Sequence, residues 1–196
     1  MYARALIEDS YFTRNEATKR SKNIFVGFST LKIYHTTFRQ KMTEDQDAYA
    51  LTDTSQGSFI FIIIDVELTI ERSQFLDGTG YEGGAIYLSG ASSIEIKNSG
   101  FFNNIANTYG GALYAAAFSS IKISESTTFG DNRVNLLGDD IYVANSENTI
   151  ELDGFEIYNK YASTSIYVES AGITMNDGYI HDIRGSADSS RKGGAL

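Results

Sequence analysis

Asp139 and Asp140 are the residues of this 196-residue chain whose type and spacing come closest to a catalytic pair. Two carboxylates hydrolyse a glycosidic bond when one is a general acid of raised pKa and the other activates water, about 6.5–9.5 Å away. The pair directly precedes a short apolar segment, Ile141–Val143, which indicates a turn that enters a strand. The chemistry it suggests is cleavage of a polysaccharide.

Neither aspartate has an evident catalytic partner. In the repeat alignment given below, Asp139 and Asp140 stack on small or hydroxylated residues, and no carboxylate, His or Arg of an adjoining repeat stands beside them. The two histidines, His35 and His181, lie in or beside predicted strands without a triad partner, and we interpret both as structural. A solvated turn is the simpler interpretation of the aspartates, and we predict that the chain is not an enzyme.

The composition gives little support to metal or thiol chemistry. The chain has no cysteine, which excludes disulfides and thiolate metal sites, and two histidines exclude a histidine-rich metal cage. One oxygen-rich column remains, at the same place in five consecutive repeats: Asp77, Asn103, Asp131, Asn159 and Asp182. We interpret it as an Asx-turn ladder whose amides hydrogen-bond along the column, with a row of Ca²⁺ sites as the alternative. No other cofactor is predicted.

Short apolar segments position these polar residues, and they recur about every 26 residues. The first segment of each repeat ends at Ile7, Ile33, Ile70, Ile96, Ile123, Leu152 and Met175. The second is marked five or six residues later by Phe12, Phe38, Phe75, Phe101, Phe129, Ile157 and Ile180. The third is centred on Phe25, Phe61, Tyr87, Tyr114, Tyr142 and Tyr167.

Each segment is too short for a helix, alternates with period two, and is separated from the next by Gly, Asn, Asp or Ser. Three short strands per repeat predict an all-β fold, a right-handed parallel β-helix of about seven rungs, in which a rung is one full turn of the solenoid. A leucine-rich repeat has a similar period, but its multi-leucine motif and helical segment are missing. Small polar residues before the second segment, such as Ser73 and Ser99, are interpreted as turn formers without chemistry.

The six aromatic residues of the third segment are predicted to point outward, because the aliphatic residues on either side of each must share the inner face. Such a stripe either stacks on itself within the strands or serves as a binding face for another chain or a sugar polymer. A second lateral feature is an insertion of about eleven residues within residues 41–56, predicted to project as an acidic loop.

Paired glycines and Phe-x-x-Asn motifs recur in the middle of the chain and at its end: Gly83–Tyr87, Phe101–Asn104, Gly110–Tyr114, Phe129–Asn132 and Gly193–Leu196. These motifs resemble the repeats of chlamydial polymorphic outer-membrane proteins. They are also similar to giant surface proteins of ciliates and other protists that contain pectin-lyase-like β-helices. The resemblance implies an adhesive or structural role at a cell surface. The Gly-His-Gly and Arg-x-Lys motifs of the polygalacturonase family are absent.

Charge and composition limit the partners. The formal net charge of −9 disfavours nucleic acid, and the longest apolar run, Phe59–Ile64, is too short to span a bilayer. The chain has no proline, and neither end carries an evident cap, so residues 1–196 are predicted to be one internal segment of a longer solenoid or a filament subunit. We expect an extracellular or cell-surface, non-enzymatic rod that contacts other chains or further rungs. The alternative is a carbohydrate-binding or carbohydrate-cleaving module.

Overall fold

The computed structural model describes residues 3–15, 21–40, 56–160 and 164–183, and these form an all-β parallel solenoid. Its strands in chain order are β1 (Ala3–Glu8), β2 (Tyr11–Thr13), β3 (Ile24–Val26), β4 (Ser29–Tyr34), β5 (Thr37–Arg39), β6 (Ile60–Ile62), β7 (Val66–Glu71), β8 (Gln74–Leu76), β9 (Thr79–Glu82), β10 (Ile86–Ser89), β11 (Ser93–Lys97), β12 (Gly100–Phe102), β13 (Ile105–Tyr109), β14 (Leu113–Ala116), β15 (Ser120–Gly130), β16 (Arg133–Val134), β17 (Ile141–Ala144), β18 (Thr149–Tyr158), β19 (Ile166–Glu169), β20 (Gly172–Asn176) and β21 (Tyr179–His181).

Three faces run along the solenoid. The first face stacks β1, β4, β7, β11, β15, β18 and β20, and the second stacks β2, β5, β8, β12, the later halves of β15 and β18, and β21. The third face stacks β3, β6, β10, β14, β17 and β19. The parallel β-helix is therefore confirmed. The predicted count of seven rungs is too high by about one, because the described third face has six strands where the first has seven.

The three predicted marker columns pair residue for residue. Ile33 lies opposite Ile70, Phe75 opposite Phe101, and Tyr87 opposite Tyr114. Alternation explains the register: in β11, Ile94 and Ile96 are buried while the residues between and beside them face outward. The phenylalanines of the second face stack ring on ring, with centroids 4.7–4.9 Å apart from Phe12 to Phe129. The core is thus a set of apolar columns parallel to the solenoid axis.

A fourth short segment, absent from the prediction, lies between the second and third faces of the middle rungs. It consists of β9, β13 and β16, which pair in parallel. It escaped prediction because inward residues such as Thr79 and Ala106 are small and do not form an apolar column that recurs in every rung.

The predicted lateral loop within residues 41–56 lies outside the described residues apart from Gln56. No helix in the described part of the chain is long and apolar enough to cross a membrane.

Candidate functional site

The aspartate pair is buried, which corrects the prediction of a solvated turn. Asp139 and Asp140 are 1% and 0% exposed. The chain turns inward before β17, and the Asp139 Oδ1 accepts a hydrogen bond from the Val134 amide while its Oδ2 accepts one from the Thr164 amide, both at 3.1 Å. Asp139 therefore caps backbone groups of the corner between the second and third faces. A polymer outside the solenoid has no contact with it.

Asp140 lies deeper, between two side-chain amides. Its Oδ1 accepts a hydrogen bond from Asn132 Nδ2 at 2.8 Å, and its Oδ2 accepts one from Asn159 Nδ2 at 3.2 Å. Burial raises the pKa of Asp140 to about 7, the two amide hydrogen bonds oppose that shift, and the neighbouring Asp139 carboxylate adds to it. Asp140 is therefore a buried acid that titrates near neutral pH inside the solenoid.

The amides around Asp140 belong to an internal ladder that our sequence analysis did not predict. The Gly78 amide donates to Asn104 Oδ1, and the Asn104 amide donates to Asn132 Oδ1, each at 2.9 Å. Each Nδ2 donates in turn to a carbonyl of the rung below, Asn104 to Phe75 and Asn132 to Phe101, at 3.0 Å. The sequence pattern that could have indicated this ladder is the recurrent Phe-x-x-Asn motif, whose last residue is Asn104 in one rung and Asn132 in the next.

The predicted turn ladder lies one residue earlier and behaves differently. Four of its five members, Asp77, Asn103, Asp131 and Asp182, have left-handed φ angles between 53° and 60°. Asn159 does not share this backbone, and its buried amide donates to Asp140 instead. The column therefore marks a recurrent tight turn whose fifth member has joined the interior ladder.

Two carboxylates of the predicted turn ladder, Asp77 and Asp131, form ion pairs with cations of adjoining rungs. Arg39 Nε lies 3.1 Å from Asp77 Oδ2, and Lys160 Nζ lies 2.8 Å from Asp131 Oδ2. Burial raises the pKa of Asp77, and the Arg39 guanidinium opposes that rise. Among the described residues no group of three or more His, Cys, Asp or Glu side chains could hold a metal ion.

A hydroxyl ladder occupies the corner between the first and second faces. Ser73 Oγ accepts the Thr36 amide and Ser99 Oγ accepts the Ser73 amide, both at 3.1 Å. Each hydroxyl also donates to a carbonyl of its own rung, as Ser99 does to Lys97 at 2.7 Å. These residues, interpreted from sequence as simple turn formers, satisfy the buried backbone amides of the corner.

The aromatic stripe of the third face is a continuous stack. Ring centroids from Phe25 through Tyr167 are 4.7–5.5 Å apart with interplanar angles of at most 11°. Tyr142 is buried, with Tyr109 centred 4.6 Å from it and Glu169 Oε2 accepting its hydroxyl at 2.9 Å. Tyr87, Tyr114 and Tyr167 are half-buried. Burial raises the pKa of Tyr87 and Tyr114. Because the rings stack along the axis, their edges rather than their faces point to solvent.

The two histidines lie at the surface. His181 Nδ1 is 2.9 Å from Asp182 Oδ2 and its Nε2 is 3.2 Å from Glu156 Oε1, and these hydrogen bonds, first to Asp182, raise the pKa of the imidazole. His35 Nδ1 lies 3.8 Å from Asp9. The contact with Glu156 joins β21 to β18, whereas the contact with Asp182 is local to the turn after β21.

A shallow groove of about 750 Å³ crosses the outer side of the first face near β1. One outward row lines it: Arg4, Thr30, Glu67 and Ser93. A neighbouring depression adds Tyr34. Neither Asp139 nor Asp140 lines either depression.

Comparison with protein-family models, with curated proteins and with solved structures finds no match to this chain. The resemblance to surface-protein repeats therefore rests on its motifs, and the structure supports it as far as the parallel β-solenoid.

Proposed function

We propose that the chain is a non-enzymatic structural and adhesive rod segment of a large surface or filament-forming protein. The observation that carries the proposal is the burial of Asp139 and Asp140, whose carboxylate oxygens are engaged by internal donors. A catalytic acid must reach the bond it cleaves. These carboxylates instead hold the solenoid together from within.

The stacked aromatic column supports a lateral contact with protein rather than with sugar. A sugar ring binds an aromatic residue across the ring face, but the faces of Tyr87 and Tyr114 cover each other at a centroid distance of 4.9 Å. The exposed edges and hydroxyls of Tyr87, Tyr114 and Tyr167 form a narrow polar-aromatic line that suits the side chains of another protein.

Incubation with pectin-like and neutral polysaccharides tests the absence of enzymatic activity. We expect no product from the wild type or from the Asp139→Asn/Asp140→Asn variant, measured as new reducing ends and as unsaturated sugars. Product released by the wild type and lost in the variant would contradict the proposal.

The lateral contact is tested by measuring binding between immobilised and soluble chain. Tyr87→Lys/Tyr114→Lys should weaken the contact, because it places two charges on the aromatic line. Thr69→Lys, at an outward position of the first face, is the matched control and should bind as the wild type does. Equal binding by all three proteins would show that Tyr87 and Tyr114 do not contribute to a lateral contact.

Glycan binding is a second candidate function, favoured by the groove on the first face. Its lining combines an acid, a base and hydroxyls, Glu67, Arg4 and Thr30, with the Tyr34 ring close by. Such groups suit the hydroxyls of a polysaccharide. Calorimetry with soluble polysaccharides should show binding by the wild type and no binding by Glu67→Gln/Tyr34→Ala. Glu151→Gln, at an exposed position of β18 away from the groove, should bind as the wild type does. No heat of binding with the wild type would exclude it.

A further inference from the structure

Five tyrosines on and beside the third face form one cluster of neighbouring rings. Four of them stack in a column with centroids 4.9–5.5 Å apart and interplanar angles of at most 8°: Tyr87, Tyr114, Tyr142 and Tyr167. The fifth, Tyr109 at the end of β13, has its ring centroid 4.6 Å from that of Tyr142. Because the chain has neither tryptophan nor cysteine, tyrosine is the side chain from which a single electron is most readily removed.

Within this cluster the hydroxyl of Tyr142 faces a base. It donates a hydrogen bond to Glu169 Oε2 at 2.9 Å, a distance over which a proton can be transferred. Burial raises the pKa of Tyr142, and the hydrogen bond to Glu169 raises it further, so the phenol keeps its proton until the ring is oxidised. Loss of an electron makes a phenol strongly acidic. The radical is therefore most stable on Tyr142, where Glu169 can take the proton.

The stacked neighbours connect this buried ring to the surface. Tyr142 is 6% exposed, so an oxidant in solution has little access to it. Tyr114 and Tyr167, stacked on either side of Tyr142, are half-buried and present their edges to solvent. An electron taken from either of them can be replaced from Tyr142 through the stacked rings. Oxidation at the surface therefore produces a radical inside the cluster.

Tyr109 is the ring best placed to react with that radical. Two tyrosyl radicals join through the ring carbons beside their hydroxyls, edge to edge. Tyr114 and Tyr167 are almost parallel to Tyr142, at 3° and 6°, and therefore present their faces to it. Tyr109 is closer and is tilted by 33°, and it approaches from β13 rather than from a strand of the third face. Its edge can therefore turn toward Tyr142.

We propose that Tyr109 and Tyr142 are a site of oxidative cross-linking, joined as dityrosine by a one-electron oxidant such as the ferryl haem of a peroxidase. Each tyrosine loses one electron to the haem and one proton, and the proton of Tyr142 passes to Glu169. A carbon–carbon bond forms between the rings, the hydrogen atoms on the two joined carbons move to the oxygens, and both hydroxyls are restored. Hydrogen peroxide takes up the two electrons and two protons and becomes two molecules of water.

The cross-link would join β13 covalently to β17 of the next rung. It goes beyond the rod function proposed above, because it lies within one chain and needs no contact with another. A chain without disulfides would gain from it a covalent bond between two rungs.

Treatment of the full chain, at low concentration, with a haem peroxidase and hydrogen peroxide tests the proposal. Dityrosine fluorescence follows the reaction, and mass spectrometry of tryptic peptides locates the bond. Trypsin cleaves after Lys97, Lys122, Arg133 and Lys160. The expected product therefore joins peptide 98–122, which contains Tyr109, to peptide 134–160 with the loss of two hydrogen atoms, in a chain of unchanged length and monomeric mass.

Conservative variants identify the residues. Tyr109→Phe and Tyr142→Phe should each abolish the joined peptides. Tyr158→Phe, which removes a tyrosine of the same peptide outside the cluster, is the matched control and should react as the wild type does. Glu169→Gln should slow the reaction about tenfold, because a carboxamide does not accept the proton. Glu151→Gln, at an exposed position of β18, should leave the rate unchanged.

A wild type that gives no joined peptides, or a Tyr109→Phe variant that still gives them, would overturn the cross-linking site. Dityrosine found only between two chains would also overturn it, and would support the lateral contact of Tyr87 and Tyr114 instead. Neither result bears on the absence of enzymatic activity, which the polysaccharide assay tests separately.

Discussion

The buried side chain of Asn132 makes four hydrogen bonds within the interior of the solenoid. Its side chain accepts hydrogen bonds from the Asn104 amide and from Asn104 Nδ2, and donates to the Phe101 carbonyl and to Asp140 Oδ1. Asn103, one residue before Asn104, is exposed and serves only the turn. Adjacent residues point to opposite sides of the backbone, so Asn104 belongs to the internal ladder while its neighbour Asn103 lies in a surface turn.

Asn132→Ala should destabilise the fold by about 3 kcal/mol, because it leaves several buried polar groups without partners. Asn103→Ala is the matched control and should cost about 1 kcal/mol, the strain of alanine at a left-handed φ. Urea denaturation measures both as shifts of the midpoint. Equal losses of stability in the two variants would mean that the internal asparagine ladder contributes no more to the fold than the surface turn at Asn103.

The buried acid Asp140 predicts a pH dependence of stability. Its pKa is about 7 in the folded chain and about 3.9 in an unfolded one, so the folded state binds the proton more tightly. The stabilisation from protonated Asp140 is complete below about pH 4 and is lost as the pH rises to about 7, a change of a few kcal/mol.

Asp140→Asn should remove this slope, measured as the difference in unfolding free energy between variant and wild type from pH 4 to 8. Asp153→Asn, an exposed position on β18, is the control that removes a carboxylate without touching the interior. If the slope persists in Asp140→Asn, another group causes it.

Among the strands, those of the second face contribute a stack of buried phenylalanines to the interior of the solenoid. Phe101 is fully buried, with ring centroids 4.7 Å from Phe75 and 4.9 Å from Phe129, whereas the adjacent Phe102 faces outward. The same residue type therefore serves as core and as surface at neighbouring positions of β12.

Phe101→Ala should cost about 3–5 kcal/mol, since the cavity it leaves is held open by the rungs above and below. Phe102→Ala should cost less than about 1.5 kcal/mol, because Phe102 is only half-buried, on the outer side of β12, where its ring lies against Gly130 and the tilted Tyr158 ring. Thermal and urea unfolding compare the two. Similar costs would mean that the stack does not hold the core.

Prediction from sequence worked best for these elements. The spacing of Ile70 and Ile96 was enough to align the first face, because stacked rungs repeat the same inward residue. It worked poorly at the corners. At the corners, the bend of the backbone between strands decides which of Asn103 and Asn104 points inward and whether Asp140 is buried. No periodicity in the sequence encodes that bend.

Across the whole solenoid, the described strands of the three faces, apart from the first and last of each face, are hydrogen-bonded to a neighbour on both sides. This arrangement accounts for the absence of proline, which would remove a ladder hydrogen bond from a central strand. The zero count of cysteine agrees with stability that comes from stacking, since neighbouring rungs already fix each other's position.

Glu95→Pro, at an outward position of central strand β11, should destabilise the chain by about 3 kcal/mol or more. Thr174→Pro, outward on β20, should cost less, because β20 pairs with one neighbour. Circular dichroism during thermal unfolding compares the variants. A Thr174→Pro variant as unstable as Glu95→Pro would show that β20 is bonded on both sides.

The residue-for-residue pairing of β10 with β14 also has a genetic consequence. Ile86 matches Leu113 and Tyr87 matches Tyr114, so the gene segment for one rung can be duplicated or deleted in frame and leave a contact of the same kind behind. Unequal crossing-over would then change the length of the rod in steps of ~4.8 Å without any new core having to arise. Length becomes the property that selection can adjust most directly.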